Sequence, residues 1–159
     1  EHRAAFEQAL AHVRGQLGRT VPIVIGGERI ESDKTFESRN PSRPSEVIGR
    51  FQSGTQEHAA RAIETAHRTF ASWSRVSAPE RAAYLIEAAR RMRERRHEFS
   101  AWMVLEVGKS WAEADGDTAE AIDFMEYYAR EMLRYDQPPA LTQLPGEHDS
   151  MVYIPHLAH

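Results

Sequence analysis

From Thr55 to Asp136 apolar residues return at every third or fourth position, and this long helical pattern commits the chain to a fold in which helices supply most of the core. The pattern carries its own punctuation. A first helix is predicted from Thr55 to Ser74, with Ala59, Ile63, Ala66, Phe70 and Trp73 as its stripe and Gln56 and Glu57 in the first turn, where the helix dipole favours negative charge. Ser77 and Glu80 then have the spacing of a capping box: the hydroxyl accepts from the Glu80 N–H while the carboxylate reaches back to the Ser77 N–H. Tyr84, Leu85, Ala88 and Met92 line one face of this second helix. The pattern runs on through Phe99, Met103 and Val107 to Gly108 and Lys109, where a C-terminal cap fits. Ser110 and Glu113 repeat the box and open a last helix toward Arg134, with an expected core stripe of Ala119, Ile122, Met125 or Glu126, Ala129 and Leu133, ended by Pro138 and Pro139. Gly116 inside it costs roughly 1 kcal/mol relative to alanine and so marks a close approach or a bend.

Upstream the periodicity changes. Glu1 to Leu17 places Ala5, Leu10, Val13 and Leu17 as a short amphipathic helix does, with Gly18 as its stop, and no capping residue precedes Glu1, so the natural chain is expected to begin further upstream. Val21 to Gln52 is rich in strand and turn signals. Pro22 to Ile25 and Glu28 to Glu31 flank Gly26-Gly27, which can take positive φ without steric cost and so form a two-residue hairpin turn. Further strands are predicted at Lys34 to Ser38 and Glu46 to Gln52, separated by Asn40-Pro41-Ser42-Arg43-Pro44, and one more at Ser150 to Ile154. The chain is a small β-hairpin element followed by a mainly α-helical region.

Composition narrows the possible functions. A chain of 159 residues, 41% hydrophobic, can bury one core of moderate size. Its formal charge of -4 gives no reason to expect a phosphate backbone as partner, and the longest basic run, Arg90 to Arg96 (RRMRERR), is interrupted by Met92 and Glu94 and reads as a solvated helix face. No stretch approaches the length of a bilayer span and Glu1 to Phe6 lack a signal-peptide core, so a cytoplasmic location is expected. Cysteine is absent, which removes disulfides, thiolate metal sites and a sulfur nucleophile from these residues.

Motifs that would carry chemistry are scarce. Eight histidines are present, but none forms the i, i+4 pair of a helical zinc site, and His58, His67, His97, His148, His156 and His159 read as exposed or satisfied side chains. No glycine-rich strand-to-helix turn appears, so no cofactor phosphate is cradled here, and no metal is expected. Acidic residues crowd the last helix (Glu113, Asp115, Asp117, Glu120, Asp123, Glu126, Glu131) and mostly read as a solvated face. Glu120 stands i, i+4 from Phe124 and near Tyr127, a placement that would suit binding a cationic group; by periodicity alone it is surface.

The order and spacing of Ala66, Phe70 and Trp73, then Arg81, Leu85, Ala88 and Met92, then Glu98, then Leu105-Glu-Val-Gly-Lys109, then Glu113-Ala114, and finally Ile122 to Arg130 (IDFMEYYAR) resemble the amino-terminal region of aldehyde dehydrogenases. Ile25-Gly-Gly-Glu28 and Arg39-Asn-Pro41 with Ile48-Gly49 resemble the same family's first hairpin and strands, so the likeness covers about Val21 to Pro155. Asn40-Pro-Ser-x-Pro-Ser-Glu46-Val and Ala119 to Ala129 look most like the branch that oxidises L-glutamate γ-semialdehyde (1-pyrroline-5-carboxylate) to glutamate with NAD in proline catabolism.

The resemblance implies an α/β, Rossmann-like parent that is a homo-oligomer when full length. Residues 1–159 would be the amino-terminal part of its cofactor-binding domain (1–18 helix, 21–52 β element, 55–136 helices, 150–155 strand). It also implies that Glu120 approaches the substrate's α-amino group, with Phe124 in the same pocket. The family's cysteine nucleophile, glutamate base and NAD-binding segments would lie beyond residue 159, so no catalytic or cofactor-binding residue is expected here and the segment alone should be inactive. His156-Leu-Ala-His159 departs from the family, as truncation or a frame disruption would produce. Two alternatives stand beside this reading: an aldehyde dehydrogenase for another aldehyde, and a stand-alone helical binding or assembly module. In a module the apolar stripes satisfy one another, whereas in a piece of a larger fold the stripe with Phe70 and Trp73 has partners outside it.

Overall fold

A computed structural model describes residues 2–137 and 145–146. Within them the order is α1 (His2–Arg14), β1 (Arg19–Val21), β2 (Ile23–Ile25), β3 (Glu28–Ile30), β4 (Thr35–Arg39), β5 (Val47–Gln52), α2 (Gln56–Trp73), α3 (Ala78–Glu94), α4 (Arg96–Val107) and α5 (Trp111–Tyr135). The strand expected at Ser150 to Ile154 and the stop at Pro138-Pro139 lie outside the described residues.

The hairpin forms as expected: β2 and β3 pair antiparallel, Ile25 opposite Glu28, with Gly26 and Gly27 at φ 60° and 85°. The β element is nevertheless two sheets. A strand absent from the sequence reading, β1, runs parallel to β5, which pairs antiparallel with β4 on its other side, giving the order β1-β5-β4. Pro22 separates β1 from β2 and has no N–H to offer a ladder, so the chain leaves one sheet there and starts the other. A register shift at Ser38/Arg39 leaves Arg39 opposite Val47 as the last pair of the β4–β5 ladder, just before the Asn40 loop. Asn40 is buried and organises that loop: its amide donates to Glu46 Oε2 at 2.6 Å and its side-chain oxygen accepts from the Ser42 N–H at 2.9 Å.

Three helix contacts build the body of the fold. Phe6, Leu10 and Val13 of α1 meet Ala101 and Leu105 of α4 and Ile48 of β5 in one buried cluster. Burying each large member contributes roughly 1.5–3 kcal/mol, enough to hold α1 in place. Phe6 replaces Ala5 as the first member of the expected stripe and stacks on Trp111 at 4.7 Å between centroids. The second contact joins α3 to α5, with Ala78, Ala82 and Ala89 buried on α3 and Ile122 and Ala129 buried on α5, and a third joins α4 to α5. The packed face of α3 therefore differs from the expected one. Tyr84 is 64% exposed, Leu85 is exposed as well, and Met92 is half-buried; alanine is what lets the two helices approach. On α5 the stripe also shifts, with Leu133 exposed, Ala119 half-buried and Thr118 fully buried. Thr118 and Ser100 of α4 share a buried hydrogen bond at 2.9 Å.

The capping boxes at Ser77/Glu80 and Ser110/Glu113 form, and Thr55 heads a third in which His58 Nδ1 accepts from the Thr55 N–H at 3.2 Å. The pattern read as one helix from Ser77 to Val107 is two. Arg95, at φ -109° and ψ 20°, breaks it without glycine or proline, and α4 turns toward α1. Gly108 then closes α4 in the left-handed conformation at φ 72°; a Cβ there would lie 3.0 Å from Pro41 Cγ. The Asn40 loop is thus seated on the end of α4, and the Ser38 hydroxyl adds a bond to Glu106 Oε1 at 3.1 Å. Gly116 has no comparable neighbour. A Cβ on it would meet nothing within 4 Å, so no close approach explains it, and α5 runs through it as one element.

Candidate functional site

The buried row of α5 (Ala114, Thr118, Ile122, Ala129) fixes which side chains the helix can offer outward. Most of its carboxylates are occupied. Arg96 grips Asp115 with two bonds of 2.6 Å, Lys109 pairs with Asp117, Arg93 and Arg130 both reach Glu126, and Arg134 holds Glu131 at 2.6 Å. Hydrogen bonds from these guanidinium groups keep the carboxyls of Asp115, Glu126 and Glu131 below their ordinary range, and the Ser110 hydroxyl and N–H do the same for Glu113. Glu120 is different. Like Asp123, it is exposed and, among the described residues, has neither an ion pair nor a hydrogen bond, so its charge is available to a ligand.

Phe124, one turn on from Glu120, is 48% exposed and stacks on Tyr128 at 5.8 Å; Tyr127 meets Tyr128 edge to face at 5.3 Å. The structure thus places Glu120 at the head of an exposed aromatic row on α5, and no closed pocket surrounds it. A carboxylate beside aromatic faces is the arrangement that attracts an ammonium group.

Two open apolar grooves, which local patterning did not reveal, meet at Trp73, and the second includes Tyr127 and Tyr128 of this face. One, of about 700 Å³, runs along α2 and β2 between Val24, Ile63, Ala66, Phe70 and Trp73. Of the expected stripe of α2, Ile63, Ala66, Phe70 and Trp73 line this groove and Ala59 does not; no residue of that helix is buried and Ile63 is 62% exposed. The other, of about 620 Å³, lies between α3 and α5, walled by Trp73, Tyr84, Leu85, Tyr127 and Tyr128 with Arg81 inside. Large aromatic residues that a self-contained helical module would cover are open here, which speaks for a piece of a larger fold.

Among the described residues, the glycine pair and three of the helix starts are already engaged within the chain. Gly26-Gly27 joins strand to strand, and the free N–H groups at the starts of α2, α3 and α5 are met by Thr55, Ser77 and Ser110, so these residues do not fit a dinucleotide. No group of three metal-ligating side chains occurs among them. The basic run is neutralised rather than displayed: Arg90 and Arg91 bind Glu87, Arg93 binds Glu126, Arg95 binds Glu98 and Arg96 binds Asp115. Bonds from Arg90 and Arg91 hold the Glu87 carboxyl down at about 2. His97 departs from the expectation that it would be exposed or satisfied. It is half-buried against Phe6, and its Nδ1 is buried without a hydrogen-bond partner. His148, His156 and His159 lie outside the described residues. None of the described helices is long and apolar enough to cross a membrane.

The profile of the aldehyde dehydrogenase family matches residues 29–156, and the chain belongs to that family. Within it, the chain is 49% identical over 97% of its length to the 1-pyrroline-5-carboxylate dehydrogenase of Geobacillus thermodenitrificans. Among solved structures it resembles proline utilization A from Bdellovibrio bacteriovorus, with 40% identity and a TM-score of 0.89 over 91% of this chain and 15% of that one. It also resembles the NAD-bound 1-pyrroline-5-carboxylate dehydrogenase from Thermus, with 43% identity and a TM-score of 0.86 over 91% of this chain and 28% of that one. The chain spans about 30% of the length of the curated relatives it matches.

Proposed function

We propose that this chain is the amino-terminal part of an NAD-dependent enzyme that oxidises L-glutamate γ-semialdehyde, the open form of 1-pyrroline-5-carboxylate, to glutamate. The observation that carries the reading is 49% identity over 97% of the chain with a dehydrogenase of that name. The division of labour follows from what the chain lacks and what it offers. Without cysteine it has no sulfur nucleophile to attack an aldehyde, and its described residues do not fit NAD, so the nucleophile, the hydrolytic base and the nicotinamide site belong to the remainder of the parent polypeptide. Residues 1–159 are a scaffold within its cofactor-binding domain, packed against a Rossmann-like core. The parent is a cytoplasmic homo-oligomer.

On this reading Glu120 is the counter-charge for the substrate's α-ammonium group, and the Phe124 ring provides a wall that limits its hydration. What supports it is the unpaired, exposed carboxylate of Glu120 beside an aromatic row, on a helix whose other acidic side chains are mostly tied to arginine or lysine. The rest of the parent closes the pocket. In the full-length enzyme, Glu120→Ala should raise KM for the semialdehyde about 10- to 100-fold, the worth of a charge-assisted hydrogen bond, while leaving kcat within a few fold. An unchanged KM removes the basis for this role. A substrate without the amino group should lose nothing on the same substitution.

A further inference from the structure

We propose that Gly116 is a specificity-determining position of the substrate site, and that its missing side chain makes room beside the Glu120 carboxylate for the branched α-carbon of an amino-acid aldehyde. The proposal deepens the reading of Glu120 as the counter-charge for the substrate's α-ammonium group and rests on it. Three observations carry it.

The first is that the fold gives Gly116 no other use. A helix interior disfavours glycine more than any residue but proline, and among the described residues Gly116 is the one glycine inside a helix. The other described glycines each have a local feature that it lacks. Five take positive φ, and a Cβ on Gly15, Gly49 or Gly54 would have a neighbour within 4 Å. Gly116 does not take positive φ, and among the described residues a Cβ on it would meet nothing within 4 Å.

The second is position. Gly116 stands four residues before Glu120, so the two share one face of α5, and both are exposed. Long side chains on a helix lean toward its N-terminus, over the turn that precedes them. That lean carries the Glu120 side chain toward position 116, where any side chain would compete for the space beside its carboxylate.

The third is the state of the neighbours. Glu113 is engaged by the Ser110 hydroxyl and N–H, and Asp117 by Lys109, so Glu120 is the free carboxylate next to the bare stretch of helix. One turn on, the Phe124 ring is 48% exposed. The α-carbon of L-glutamate γ-semialdehyde carries an ammonium and a carboxylate together, so the site that receives it needs width as well as a counter-charge. Open backbone before Glu120 and a flat ring after it supply that width. An aldehyde without the amino branch needs neither.

The test uses the full-length enzyme, with Glu120→Ala as the companion variant. Gly116→Ala should raise KM for the semialdehyde about 10-fold and Gly116→Leu about 100-fold, with the loss in KM rather than in kcat. For glutaric semialdehyde, the same carbon chain without the amino group, KM should rise less, so the preference for the amino aldehyde falls. In the absence of substrate, the melting temperature of Gly116→Ala should hold or increase, because alanine favours the helix and its Cβ has no neighbour. A weaker KM with undiminished stability is a combination that a purely structural glycine does not give. A lower melting temperature for Gly116→Ala would show that protein rather than substrate fills the place, and overturns the proposal. If Glu120→Ala raises KM while both Gly116 variants leave it unchanged, the inference alone fails. If Glu120→Ala leaves KM unchanged, the reading beneath has failed and the inference goes with it.

Discussion

Replacing Gly108 by alanine tests the join between the β element and the helical layer. The residue closes α4 at φ 72°, where an L side chain costs roughly 1–2 kcal/mol relative to glycine. A Cβ there would also lie 3.0 Å from Pro41 Cγ and 3.8 Å from Ser42 Oγ. Pro41 Cγ can give way only by a change of ring pucker, and beyond that the Asn40 loop must shift against its own bonds to Glu46 and Ser42, an overpacking cost of roughly 1–3 kcal/mol. Gly27 supplies the control: its φ is 85°, but a Cβ on it meets nothing within 4 Å, so Gly27→Ala should show the backbone cost alone. Urea unfolding followed by circular dichroism should give a loss of roughly 2–4 kcal/mol for Gly108→Ala and of roughly 1–2 kcal/mol for Gly27→Ala, without a change in m. In thermal unfolding each kcal/mol should appear as about 2–4 °C for a chain of this size. Equal losses at the two positions would show that Pro41 does not press on Gly108 and that the loop is not seated on α4.

Substitutions on α2 and α3 should divide by face. Ala89→Leu, at a fully buried position of the α3–α5 contact, should cost roughly 1–3 kcal/mol in the same unfolding assay, whereas Ile63→Ser, on the uncovered stripe of α2, should stay within about 0.5 kcal/mol and reduce binding of a hydrophobic dye. The pairing of Arg96 with Asp115 sets an acid limit. Because the Arg96 hydrogen bonds, aided by the charges of His97 and His2, hold the folded-state Asp115 carboxyl below 3.8, its contribution is fully present above that value and is lost as pH falls through the lower folded value. Asp115→Asn should therefore destabilise at pH 6, and the gap to the unsubstituted chain should narrow below about pH 4; a pH-independent gap contradicts the assignment.

How much of this was legible in the sequence depended on how far each feature reaches along the chain. Ser77 with Glu80 and Ser110 with Glu113 are contained within one turn, and Gly26-Gly27 within one hairpin, so side-chain chemistry alone determines them. Strand β1 was missed because nothing in Arg19-Thr20-Val21 is buried; it is a strand only because β5 offers a parallel edge nearly thirty positions later. The break at Arg95 has no glycine or proline to announce it and serves a distant contact, that of α4 with α1. The exposed face of α3 was misread for a related reason: Tyr84 and Leu85 look like core, and the structure turns them into a groove while alanines do the packing. Glu120 is the opposite case. Periodicity makes it surface, as the structure finds, and the substrate role proposed for it comes from the family pattern alone.

In the proposed function, these residues scaffold an aldehyde-oxidising centre that the rest of the parent completes. This role is tested most directly by following NADH absorbance while the semialdehyde is supplied to two proteins side by side, the 159-residue chain and the full-length polypeptide that contains it. Turnover by the full-length polypeptide and none by the chain alone is the expected result. Turnover by the chain, which has no cysteine, or a full-length polypeptide that leaves the semialdehyde untouched, would contradict the account.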